Sequence, residues 1–189
     1  NDKAIDSLHF TINEDWNHKI NIPNSELVFN DEDIGYQIIV LNTKLQHGDT
    51  IPMEITANYT PEGFQNNRGS TSIIKNGTFF NNFSILPSFG YNENYEIGDK
   101  NKRKKLGLKE KDRMPKLTEN CGEDCMVNYL TDGISDWVNV ETFISTSKDQ
   151  IAIAPGSKIS EEVKDGRRHY HYKVDHPSQN FYSFISADY

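Results

Sequence analysis

Two cysteines in 189 residues are too few for a disulfide framework. Cys121 and Cys125, set in C-G-E-D-C, leave three readings open: a small loop disulfide, free thiols, or two of the four ligands a structural zinc usually takes. No apolar run approaches the roughly 20 residues that span a bilayer, and no signal-peptide core is present. Basic charge is also short: 28 acidic residues against 20 basic give a formal charge of −8. That balance argues against a nucleic-acid binder, which needs a basic face to neutralise phosphates. Catalytic signatures are missing as well. None of the histidines at 9, 18, 47, 169, 171 and 176 is followed by Glu, so H-E-x-x-H is absent. Neither a G-x-S-x-G elbow nor a phosphate-cradling glycine loop occurs. The segment alone therefore does not read as an enzyme. Opening on Asn1 and holding no complete site, it reads as a fragment of a longer protein.

What the chain does have is aromatics and alternation. An aromatic fraction of 11% argues against disorder despite a mean hydropathy of −0.73. The central stretch, Ser70 to Asn94, carries the turn pair Asn76-Gly77 between β-branched and aromatic runs, a hairpin signal that places Phe79, Phe80 and Phe83 in the core. Ile51, Met53, Ile55, Ala57 and Tyr59 occupy every second place, a period of two that no helix shares. Similar alternation marks strands at Leu8 to Ile12, Leu27 to Phe29, Tyr36 to Leu41, Trp137 to Ser145 and Phe181 to Ala187, with Asn13 to Asn17 as a polar turn. Lys164-Asp165-Gly166 joins two more strands as a hairpin. Between Asp99 and Arg113 eight Lys/Arg face three Asp/Glu, which reads as a solvated excursion with one short helix at Lys100 to Leu106, stopped by Gly107. Roughly ten strands and almost no helix predict an all-β, antiparallel β-sandwich or a large, saddle-like curved sheet. The expected organisation is a single domain over 1–189 with a loop-rich, partly helical insertion at 92–133.

His169 and His171 are the weak metal candidates, two apart on one face of a strand, with Tyr170 and Tyr172 on the buried side. No third ligand is placed beside them in the sequence, so they read as exposed strand histidines. Trp16, Trp137 and the tyrosines would suit a sugar-binding or adhesion sandwich, although exposed aromatics are equally often sheet packing.

Three stretches in order carry a resemblance: N-G-T-F-F-N-N-F-S-I-L-P-S-F-G-Y-N-E from Asn76, W-V-N-V-E-T-F-I-S-T-S-K-D-Q-I-A-I-A-P-G from Trp137, and H-P-S-Q-N-F-Y-S-F-I-S-A-D-Y from His176. Together they resemble the N-terminal β-domain of the aminopeptidase N-type zinc metallopeptidases (gluzincins). The likeness is nearest to the branch fused behind the membrane segments of bacterial ABC-type permeases, where F-F-N-N-F, L-P-S-x-G-Y, R-M-P, D-W-V-N and S-T-S-x-D-Q-I-A-I-A-P-G recur. The resemblance implies a non-catalytic domain that braces and walls the peptide-binding cleft of a downstream catalytic domain in the same chain. Zinc would lie in that downstream domain and none in this segment. It also implies a membrane reached only through the rest of the parent, with this domain soluble and extracytoplasmic. The family's Gln or Glu that holds the substrate's amino group falls near Phe79, Phe80 and Asn81, which become the substrate-side candidates and here are Phe and Asn. An interaction module of a transporter permease, derived from a degenerate peptidase, is the alternative the same likeness allows.

Overall fold

The computed structural model describes residues 3–13, 15–61, 72–90, 96–111 and 137–188. In chain order the strands are β1 (Ile5–Thr11), β2 (Asn17–Asn21), β3 (Ser25–Asp31), β4 (Tyr36–Leu45), β5 (Glu54–Asn58), β6 (Ile73–Ile74), β7 (Gly77–Asn81), β8 (Ser88–Phe89), β9 (Trp137–Val138), β10 (Glu141–Ser147), β11 (Ile151–Ile153), β12 (Ser157–Lys164), β13 (Arg167–Lys173), β14 (Ser178–Gln179) and β15 (Ser183–Ala187). Two short helices, α1 (Asn82–Ile85) and α2 (Lys100–Lys105), complete the described elements. The pairings are antiparallel, and the expected all-β, sandwich-like class is what is found. The chain divides into two compact units, Asn1–Ala57 with Pro87–Thr131, and Asn58–Leu86 with Asp132–Tyr189.

In the first unit a four-stranded sheet runs β3-β4-β1-β8, and β2 pairs with β5. Strand alternation turns Leu8 and Phe10 of β1 and Ile39 and Leu41 of β4 to one side, where they pack with Ile20, Ile22, Ile51 and Met53. Phe10 is fully buried. The alternating burial from Ile51 to Tyr59 is the one the sequence predicts. Strand β2 is not predicted: N-H-K-I-N offers one apolar residue, and its strand state comes from pairing with β5. The basic stretch does hold a helix. Asp99 caps α2 by accepting from Lys102 N–H at 2.7 Å, and Gly107 ends it at φ 68°. Its cations are solvated or paired, Lys100 with Glu110 and Arg103 with Glu96. Of the expected 92–133 insertion, only residues 96–111 are among those described.

In the second unit the sheets run β10-β13-β12 and β11-β15-β7-β6, with the two-stranded β14-β9 beside them. Ala152, Ala154, Tyr170 and Tyr172 form the core, with Ile144 and Phe184 against it. Tyr172 Oη donates to the Ala152 carbonyl at 2.9 Å, which satisfies the phenol inside this core. Gln150 knits the unit: its Oε1 accepts from Thr146 and Ser186, and its Nε2 donates to the Lys75 carbonyl. The Lys164-Asp165-Gly166 hairpin is present, with φ 51° at Asp165 and 74° at Gly166, as a tight primed turn requires. The hairpin at Asn76-Gly77 is present too, but Ile74 pairs with Gly77, so its loop is Lys75-Asn76 and Gly77 already belongs to the strand. Trp137 to Ser145 is two strands rather than one, broken at Asn139-Val140.

Candidate functional site

Phe79, Phe80 and Asn81 sit consecutively on β7, and strand alternation sends them to different places. Phe79 faces outward and is 53% exposed, against the expectation that all three phenylalanines are core. Phe83, on α1, is likewise exposed. Phe80 turns inward, its ring 5.4 Å from that of Phe184. Asn81 caps α1: its Oδ1 accepts from Ser84 N–H at 3.0 Å and from Ser84 Oγ–H at 3.1 Å. Its amide carbonyl is thus engaged within the fold.

Next to it, Asn82 is buried and bonds across the unit. Its Nδ2 donates to the Asn180 carbonyl at 3.1 Å, and its Oδ1 accepts from Tyr182 N–H at 3.1 Å. The asparagine pair thus builds a corner between β7 and the run into β15. Nothing in the local sequence marks Asn82 for burial, which is set by residues about a hundred positions away.

Phe80 opens onto a groove of about 450 Å³. It is lined by Phe80, Tyr182 and Phe184, by Ile85 and Leu86, and by the continuous run Val138 to Ile144. Tyr182 stands edge-on to Phe184, and burial raises its phenol above the ordinary value. Among the described lining residues, Glu141 alone carries a charge at neutral pH.

His171 and His169 share the outer face of β13, as expected, with Tyr170 and Tyr172 buried on the other. The register adds what the sequence does not show. His171 lies opposite Phe143, and Glu141 opposite Lys173. The imidazole stacks on Phe143, with centroids 4.3 Å apart and planes 13° from parallel, and its Nε2 donates to Glu141 Oε1 at 2.8 Å. Lys173 Nζ lies 3.6 Å from the other carboxylate oxygen. The bond from His171, then the Lys173 charge, hold the Glu141 carboxyl below the usual range. Glu141 has no motif of its own; only the β10–β13 pairing brings it to His171.

Two donors do not make a zinc site, and among the described residues no three His, Cys, Asp or Glu side chains gather as metal ligands would. Cys121 and Cys125 lie outside the described residues. No described helix is long and apolar enough to cross a membrane. The arrangement offers an apolar groove with a neutralised rim, suited to binding apolar side chains.

No protein-family profile matches the chain, and no curated protein matches it in sequence. Among solved structures it is similar to an M1 zinc metallopeptidase from Deinococcus radiodurans, with a TM-score of 0.51 at 12% identity, covering 97% of this chain and 34% of that one. At that identity the likeness is one of fold, and it meets the β-domain fold that the resemblance implies. The chain spans about a third of the length of that structure.

Proposed function

We propose that this chain is a non-catalytic β-domain of a zinc aminopeptidase-like protein, bracing and walling a peptide-binding cleft that a following catalytic domain completes. The observation that carries the reading is the outer face of the β11-β15-β7-β6 sheet. Register puts Ile74, Phe79, Ile151, Ile153 and Ile185 on that one face, opposite the side that packs the core. All five are at least 36% exposed. A contiguous apolar sheet face left in water marks a surface that something covers. The fold likeness supplies the candidate: a catalytic domain of the kind that makes up the rest of a structure only 34% spanned by this chain. In the complete protein zinc would be held there and supply Lewis-acid hydrolysis, while this domain contributes position and shape.

The finer placement, in the branch fused to ABC-type permeases, rests on the F-F-N-N-F, D-W-V-N and S-T-S-x-D-Q-I-A-I-A-P-G stretches. It puts the domain on the extracytoplasmic side of a membrane-anchored parent. The test compares this chain with a version extended several hundred residues past Tyr189, for zinc content and aminopeptidase activity. Zinc and activity in the longer protein alone support the cleft-bracing role. Absence of zinc from both overturns it in favour of the transporter interaction module.

A further inference from the structure

The three-stranded sheet β10-β13-β12 has two edges, and they are built differently. Along β12 the edge carries a register irregularity between Lys158 and Ser160 and a row of charged side chains, of which Glu161 pairs with Lys158 at 2.6 Å and with Arg168 of β13 at 3.5 Å. Bulges and charged side chains are how a sheet edge is kept from pairing with another chain. Strand β10 has an unbroken register with β13, and among the described residues no strand pairs with its other side.

The backbone of that side can be placed. Val174 N–H donates to the Val140 carbonyl at 3.1 Å, and the register makes Thr142 opposite Tyr172 and Ile144 opposite Tyr170. Bonded and unbonded positions alternate in an antiparallel pair. Val140, Thr142 and Ile144 therefore bond to β13, while Glu141 and Phe143 turn their N–H and C=O outward. The same run lines the groove of about 450 Å³ together with Phe80 and Phe184. A polar backbone row thus lies beside an apolar trough. The one acid on its rim, Glu141, is already held by His171 and Lys173.

We propose that the outer edge of β10 takes up an extended polypeptide segment as an added strand, with uncharged apolar side chains at alternate positions seated on Phe80 and Phe184. Backbone bonds to Glu141 and Phe143 supply the affinity, and the trough selects the side chains. A charged segment is disfavoured because the described lining residues offer no free counter-charge. This inference stands apart from the aminopeptidase reading, since its readout is binding by this chain alone.

The test uses fluorescence polarisation of the full chain with labelled peptides of about ten residues, carrying Val, Ile, Leu or Phe at alternate positions and Thr between them. The expected result is saturable binding with a Kd below about 100 µM, abolished when alternate peptide amides are N-methylated. Phe143→Pro deletes an outward N–H that β13 does not use, and is expected to weaken binding by about tenfold. Phe143→Ala, which keeps the N–H, is expected to weaken it less than about threefold. Equal binding by the N-methylated peptides, which leave the protein untouched, overturns the proposal, as does absence of binding across the series. A concentration-dependent dimer that Phe143→Pro disperses also overturns it, by assigning the edge to a second copy.

Discussion

The two faces of the β11-β15-β7-β6 sheet are both apolar, yet only one is a core. Ala152, Phe80, Phe184 and Ser186 point inward, and Ala152 is fully buried. One residue along, Ile153 lies on the face with Phe79 and Ile185 and stays in contact with water. Small side chains on the inner face of β11 allow Tyr170 and Tyr172 to come close. Large side chains on the outer face have no described neighbour that needs them. A sheet apolar on both faces is ordinarily covered on both. The difference separates a face that this chain's own packing uses from one that, in the reading proposed above, a following domain covers.

Neighbouring substitutions would break the comparison most sharply. Ala152→Asp places a carboxylate without a partner in the core and should cost more than about 3 kcal/mol, read as loss of a cooperative urea transition. Ile153→Asp, on the outer face, should change stability by less than about 1 kcal/mol. Equal losses would mean that the outer face is structural. Next in size is Asn82→Ala, which orphans the Tyr182 N–H and the Asn180 carbonyl and should cost about 2 kcal/mol. Its neighbour Asn81→Ala removes only a helix cap and should cost about 1 kcal/mol. The same ranking by thermal melts would confirm that the pair is a structural corner.

On the outer face itself, Phe79→Ser with Ile185→Ser should leave this chain's unfolding within about 1 kcal/mol of the original. In a protein extended past Tyr189 the same double substitution should lower the melting temperature clearly, if a catalytic domain covers that face. An unchanged melt in the extended protein would remove the face from the argument.

The smallest effect belongs to Glu141. Its carboxyl is lowered by the bond from His171, so the stability it contributes is present above the ordinary carboxyl value and drains as the pH falls through its lowered native value. Glu141→Gln should therefore be less stable than the original chain near neutrality, and the gap should close as the pH falls through that lowered native value. A gap that persists in acid would show that the carbonyl geometry, rather than the charge, holds His171.

The motifs behind the resemblance now have physical jobs, and those jobs are largely structural. In D-Q-I-A-I-A-P-G, Gln150 ties three elements together, Ala152 and Ala154 fill the core, and Gly156 adopts φ 94° where a Cβ would run into the Lys173 carbonyl. In F-F-N-N-F, one asparagine caps a helix and the other spans the unit. Phe80 alone of the substrate-side candidates lines the groove.

Strand positions were legible in the sequence because a period of two is a local property of the chain, and β1, β4, β5 and β13 follow it closely. Tight turns were legible for the same reason: Asp165-Gly166 needs positive φ and its residues announce it. Alternation separates the two faces of a strand but does not say which of them meets a partner, so Phe79 and Phe80 were indistinguishable until β15 fixed the inside. Strand β2 needed β5, the Glu141–His171 pair needed the β10–β13 register, and the edge position of β10 among the described strands needed the strand order. Each of these depends on contacts between residues far apart in the chain, which no local pattern of side chains encodes.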